Sequence, residues 1–283
     1  MRLVTFQAAS QAPAVGVVVE DQVFTVGSPA FPDMASFLAG GTASLAEAQA
    51  LADGDRPAGT KHALDRVTLL APVTHPGKII AVGLNYRDHA LETKQEIPTS
   101  PVIFAKFPSS INGPDAEVVI PPDDPQVDYE AELAVVIGRK AKAVSEAEAL
   151  TYVAGYMPLN DVSARRWQFA DKQWVRGKSC DTFCPTGPWL TTADAVPDPH
   201  ALGIRMRVNG TTVQNSNTSN LIFRIPALIH FISAAITLEP GDIIATGTPD
   251  GVGVFRKPPV FLKAGDVMEV EIEGLGTLRN RLV

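Results

Sequence analysis

A chain of 283 residues that is 45% apolar and 19% charged, with no low-complexity tract, has the composition of an ordinary globular protein with room for one large domain or two unequal ones. Its net charge of −7, with no Lys/Arg cluster, argues against nucleic acid as a partner. Cys180 and Cys184 have no paired Cys/His set elsewhere, so they suggest neither a zinc site nor a disulfide framework, and no leader or run of membrane-spanning length stands out. The reading is a cytoplasmic protein without a membrane partner.

Residues 1–72 read as a small, β-rich unit. Segments 1–6, 14–20 and 22–26 have strand character, a helix is expected over 44–52, and a polar Gly/Pro stretch follows at 53–59. The turn formers of Ala71-Pro72-Val73-Thr74-His75-Pro76-Gly77 mark a boundary, giving domains 1–72 and 73–283. Few acids and no clustered His in the first unit suggest support or interface duty.

Beyond the boundary, 78–82 reads as a buried strand, 84–95 as a short helix or a mobile loop, and 102–107 as a further strand. A capping box at Ser145-Glu146-Ala147-Glu148 starts a helix. Asn209-Gly210 is a hairpin turn, Pro226 opens a buried helix, and 269–273 with 277–283 closes the chain as another hairpin. Strands dominate without regular alternation with helices, which favours a mixed α+β roll over a doubly wound sheet.

Within Asp128-Tyr129-Glu130-Ala131-Glu132-Leu133-Ala134-Val135-Val136-Ile137 the strand period puts Glu130, Glu132, Ala134 and Val136 on one face. Both faces continue apolar, so two like charges there need a cation or donors to compensate them. A divalent ion would serve; a strand end emerging into solvent is the ordinary alternative. Asp161 is a natural N-cap, and a helix starting there would place Arg165 and Gln168 on the same stripe. That stripe reads either as a surface salt-bridge ladder or as a metal corner beside a carboxylate-binding fork. Lys178 sits among residues that look buried. His89 and Glu92 are helical neighbours, as a polar surface pair or as a base with its orienting acid. Thr246-Gly247-Thr248-Pro249-Asp250-Gly251 lacks the features of a phosphate loop; it reads as a plain tight loop or as one that approaches a small ligand.

Together, Gly83-Leu84-Asn85-Tyr86 with His89 and Glu92, Asp128-Tyr129-Glu130-Ala131-Glu132, Asn160-Asp161-Val162-Ser163-Ala164-Arg165, Arg176-Gly177-Lys178-Ser179, Thr246-Gly247-Thr248-Pro249 and the closing Glu271-Ile272-Glu273-Gly274-Leu275-Gly276-Thr277-Leu278 resemble the fumarylacetoacetate hydrolase family, from about residue 78 to the end. The resemblance implies a mixed β-roll, a homodimer, and a Mg²⁺ or Mn²⁺ site made by Glu130, Glu132 and Asp161. It implies substrate contacts from Arg165, Gln168, Lys178 and Thr248, and a lid that brings a catalytic His89–Glu92 pair into place. Large members take a fourth acidic ligand from a longer N-terminal domain; residues 1–72 offer no matching position, and water would substitute.

The implied activity is cleavage of a C–C bond in a 2,4-dioxo acid such as an acylpyruvate. The cation and Lys178 would stabilise the enolate, and His89 would activate water. The same electron sink serves oxaloacetate decarboxylation, oxaloacetate keto–enol tautomerisation, and isomerisation or hydration of unsaturated dioxo acids. A non-catalytic binding protein stiffened by its metal is the alternative of a different class.

Overall fold

β-Branched and apolar runs dominate the chain, and in the computed structural model, which describes residues 1–9, 11–26, 31–55 and 61–283, they assemble into two principal sheets. The larger follows the order Lys61–Ala63, Gln22–Thr25, Ala14–Val19, Arg2–Ala8, Leu190–Thr192, Val153–Asn160, Ala131–Ile137, Ile243–Ala245, Ile79–Gly83, Val102–Lys106. Its pairs are antiparallel except that Ile243–Ala245 runs parallel to Ile79–Gly83. The smaller sheet is Thr211–Asn217, Gly203–Val208, Val267–Ile272, Gly276–Leu282, Glu117–Val118. With few helices between them, this is the α+β mixed roll expected from the sequence.

The strand Ala131–Ile137 is buried along its whole length and explains the layering. Leu133, Val135 and Ile137 join a core with Met206, Val270 and Leu278 of the smaller sheet and with the helix Ile225–Ala235. Ala134 and Val136 face a second core with Ile79, Met157, Leu3, Phe24 and Phe37. One strand therefore carries both cores, which is why its sequence is apolar on both faces.

The strands described within residues 1–72 join the same sheet. Arg2 and Leu3 pair with Thr191 and Leu190, and the Met1 amine donates to Thr192 Oγ1 at 2.5 Å. The expected helix runs over Thr42–Asp53, while most of the stretch expected at 53–59 falls among residues 56–60, outside the described residues. The segment left open at 84–95 contains the helix Arg87–Thr93. Asn209 and Gly210 both take left-handed φ, 50° and 77°, as a two-residue hairpin requires. A helix begins after Ser145, though only over Glu146–Ala149, and Ser145 Oγ bonds the Glu148 carboxylate, leaving the backbone uncapped by that side chain. Asp161 caps no helix: it directly follows the strand Val153–Asn160, and the next helix is Arg165–Ala170. No helix among the described residues is long and apolar enough to cross a membrane.

Candidate active site

Antiparallel register builds the acidic corner. Ala131 lies opposite Asn160, and the Asp161 N–H donates to the Glu130 carbonyl at 2.9 Å, so Asp161 comes level with Glu130. Glu130, Glu132 and Asp161 thus converge from two neighbouring chain segments, with one oxygen of each within 4.8 Å of the others. They are 8%, 1% and 0% exposed. The solvent-exposed strand end is excluded, and the stripe on a helix starting at Asp161 is replaced by a strand-to-strand meeting.

Three buried cations face these acids. Lys178 Nζ lies 2.8 Å from Glu130 Oε2 and 2.8 Å from Asp161 Oδ2. Arg165 reaches Glu130 Oε1 at 2.7 Å and Asp128 Oδ2 at 2.7 Å, and donates to Gln168 Oε1 at 2.8 Å. Lys106, which the sequence reading passed over, bonds Asp161 Oδ1 at 2.6 Å and the Lys178 carbonyl oxygen. Its only signal was a lysine ending an apolar strand. Asp128 was likewise missed: it accepts from Arg165, from Gly253 N–H at 2.8 Å and from Val254 N–H at 3.0 Å, fixing the guanidinium from behind.

Charges do not balance within this group. Four carboxylates, Asp128, Glu130, Glu132 and Asp161, face Lys106, Lys178 and Arg165. Burial alone would raise Glu130, but the Lys178 ammonium and Arg165 guanidinium outweigh it and hold its carboxyl at about 2. Glu132 goes the other way: burial first, then the Asp161 and Glu130 charges, push it well above the usual carboxylate range, against one N–H from Gly247 at 2.8 Å. Among the described residues, the nearby Tyr86 hydroxyl is buried without a hydrogen-bond partner, its ionisation suppressed by burial and by Glu132. A surplus carboxylate, an orphaned hydroxyl and an all-oxygen donor set fit a hard divalent cation.

The loop after Ile243–Ala245 closes the corner. Gly247 has φ 104°, and a Cβ there would come within 2.8 Å of Asn85 Cβ, so only glycine brings this N–H to Glu132. Thr248 faces the cavity, its hydroxyl accepting from Gln214 Nε2 at 2.8 Å. The loop lies beside the acidic corner, through Gly247 N–H on Glu132 and Thr248 in the cavity lining.

The helix Arg87–Thr93 covers the cavity. His89 Nδ1 and Glu92 Oε2 are 3.0 Å apart, and Glu92 Oε1 accepts from Gly251 N–H at 3.0 Å. Asn85 ties the root of this helix to Thr246 and Phe223 through bonds of 2.8–3.0 Å. The pair is buried at its histidine end and faces inward. His89, Glu130, Glu132, Arg165, Gln168, Lys178 and Thr248 all line one cavity of about 110 Å³. Asp161 lies behind Lys178, and Glu92 behind His89. The two thiols stay apart from this chemistry: burial raises both, Cys184 to about 12.

The family model described as "Fumarylacetoacetate (FAA) hydrolase C-terminal" matches residues 78–283. An oxaloacetate tautomerase from Xenopus laevis, described as mitochondrial, is 49% identical over 293 aligned residues, covering 100% of this chain and 90% of its own. A 2,4-didehydro-3-deoxy-L-rhamnonate hydrolase from Sphingomonas sp. (strain SKA58) is 53% identical over 213 residues, 75% of each chain. Among solved structures, maleylpyruvate hydrolase from Sphingobium sp. SYK-6 in complex with manganese(II) and pyruvate matches 100% of this chain and 99% of that one at 33% identity and a TM-score of 0.81.

Proposed function

The chain belongs to the fumarylacetoacetate hydrolase family, whose members are enzymes, and from that premise we propose that it is a divalent-cation-dependent hydrolase acting on a 2,4-dioxo acid, with Mg²⁺ or Mn²⁺ as the cation. The observation that carries this reading is the buried corner of Glu130, Glu132 and Asp161, in which Glu132 has no ion pair among the described residues. Those three carboxylates would hold the ion. When bound, it supplies a Lewis acid beside the carboxylate and 2-oxo group of the substrate, which favours departure of C3 with the bonding electrons.

The remaining steps belong to side chains. Arg165, fixed by Asp128, and Gln168, bonded to Arg165, orient the substrate carboxylate. Lys178 places positive charge where the 2-oxo oxygen gains negative charge. Thr248, fixed by Gln214, contributes a hydroxyl contact. Glu92 accepts from His89 Nδ1, which leaves Nε2 as the base. Nε2 takes a proton from water as its oxygen adds to the C4 carbonyl; the C3–C4 bond breaks, C4 leaves as a carboxylic acid, and C3 is protonated to give pyruvate. The hydrolase from Sphingomonas, by its name, acts on a substrate of this kind, and the Sphingobium structure pairs a divalent ion with a 2-oxo acid, both of which support the reading.

Oxaloacetate tautomerisation is the second reading, favoured by the full-length similarity to the Xenopus tautomerase. It uses the same acidic corner and proton transfer at C3, without attack at C4. Steady-state assays with acetylpyruvate and with enol-oxaloacetate, each in Mg²⁺, separate the two. Hydrolysis that collapses in Glu130→Ala and His89→Ala is the expected result. Equal rates in wild type and Glu130→Ala would remove the cation from the mechanism, and turnover of oxaloacetate alone would select the tautomerase.

A further inference from the structure

The cavity changes character along its length. Glu130, Glu132, Arg165 and Lys178 make one end. Lys178 Nζ lies 5.4 Å from the centre of the Phe104 ring, and Phe104 meets Trp174 edge-on at 5.3 Å, so the wall turns from ammonium to arene within two side chains. Trp174 presses against Gly83, where an added Cβ would come within 2.6 Å of the indole. The missing side chain at Gly83 is what lets the ring reach the cavity. Phe169, 59% exposed, and Phe255, 37% exposed, also line the cavity and stay open to solvent. Thr93 and Gln95 in this lining are neutral, and the His89 ring, already paired with Glu92, lies 5.8 Å from that of Phe255.

Charge is already spoken for at the acidic end. Arg165 is paired with Asp128 and Glu130, Lys178 with Glu130 and Asp161, and the His89 ring with Glu92. A second carboxylate arriving at the aromatic end would shed water and meet, among the described lining residues, no Lys, Arg or His that is not already paired with an acid. An apolar tail would instead cover Phe169 and Phe255 and be stabilised by the apolar area it removes from water. From this asymmetry we infer that the site selects oxo acids whose C4 substituent is neutral and apolar or aromatic over dicarboxylates, with Phe104, Phe169, Trp174 and Phe255 as the specificity-determining wall. The inference rests on the 2-oxo acid reading of the same site and narrows its substrate class.

Binding separates the inference from that reading. The full chain, loaded with Mg²⁺, is titrated calorimetrically with two near-isosteric acids, 5-methyl-2-oxohexanoate and 2-oxoglutarate. Both lack the 4-oxo group and are inert to the cleavage. The branched acid is expected to bind at least about tenfold more tightly, the equivalent of about 1.4 kcal/mol. Phe169→Arg, at an exposed position, is expected to shrink that ratio at least about threefold, chiefly by tightening 2-oxoglutarate. Equal affinities, or tighter 2-oxoglutarate, in the wild type would overturn the inference while leaving the 2-oxo acid reading intact. An unchanged ratio in Phe169→Arg would overturn the assignment of the wall. Failure of both acids to bind would remove the 2-oxo acid reading and the inference with it.

Discussion

At Glu132 stability and function oppose each other. Its carboxyl is raised by burial and by the Asp161 and Glu130 charges. A group raised in this way stabilises the fold below the ordinary carboxylate range and loses that contribution as pH rises through its shifted value. Metal-free protein is therefore expected to lose stability through this group as pH rises towards neutrality, whereas Glu132→Gln, whose amide oxygen still accepts from Gly247, is expected to keep it. The same variant is expected to lose more than about 100-fold in Mg²⁺ affinity and activity. Thermal melts of chelated protein across pH, beside Mg²⁺ titrations, check both; a variant less stable than wild type at neutral pH would contradict the charge account. Lys106 is the reverse case. Its ammonium is the cation on Asp161 Oδ1, so Lys106→Met leaves a buried carboxylate short of a partner and is expected to cost about 3–5 kcal/mol, on the order of 10 °C in Tm. A Tm within about 2 °C of wild type would show that Lys178 alone satisfies Asp161.

Among the elements, the helix Ile225–Ala235 shows a cap supplied from outside the helix. Arg224 at its N-cap offers no side-chain acceptor, and the first-turn Ile225 N–H donates to His200 Nε2 at 3.2 Å. Burial and then the Arg224 charge lower the His200 pKa, with Asp198 opposing them. A lowered pKa means that the stabilising contribution is present above the ordinary histidine value and is lost as pH falls below it, because protonation takes the acceptor away. Between about pH 7.5 and about pH 5 the wild type is expected to lose more Tm than His200→Gln, whose amide oxygen accepts at any pH. Parallel acid dependence in the two proteins would assign the loss to other groups. Such elements also show what the sequence could and could not convey. The strand at Glu130–Glu132 and the hairpin at Asn209-Gly210 were legible because period and turn chemistry are local. The meeting of Asp161 with Glu130 was not, since it depends on the register between two strands, and local capping preference pointed to a helix that begins only at Arg165. Lys106 stayed invisible for the same reason: its partners lie 55 and 72 residues away in sequence.

At the scale of the whole molecule, the question is whether the division between residues 72 and 73 marks an independent unit or a support for the site. Hydrogen bonding runs across it, from Arg2 and Leu3 to Thr191 and Leu190. So does a core: Leu3, Val17, Phe24, Met34 and Phe37 pack with Ile79, Ala134, Val136 and Met157, the last three from the two strands that lead to Glu132 and Asp161. We propose that residues 1–72 serve as that support. Uncovering five such side chains' worth of apolar contact, at about 1.5–3 kcal/mol each, matches the ~5–15 kcal/mol that separates a folded domain from its unfolded chain. A chain of residues 73–283 is therefore expected to be aggregated or loosely packed, with strong binding of a hydrophobic dye, no cooperative melt and no saturable Mg²⁺ binding. Adding residues 1–72 as a separate chain is expected to restore part of each, because the missing face is a surface with a defined complement. A cooperative melt and Mg²⁺ affinity within about threefold of the full chain would instead show that the acidic corner stands on the other core alone, the one shared with the smaller sheet.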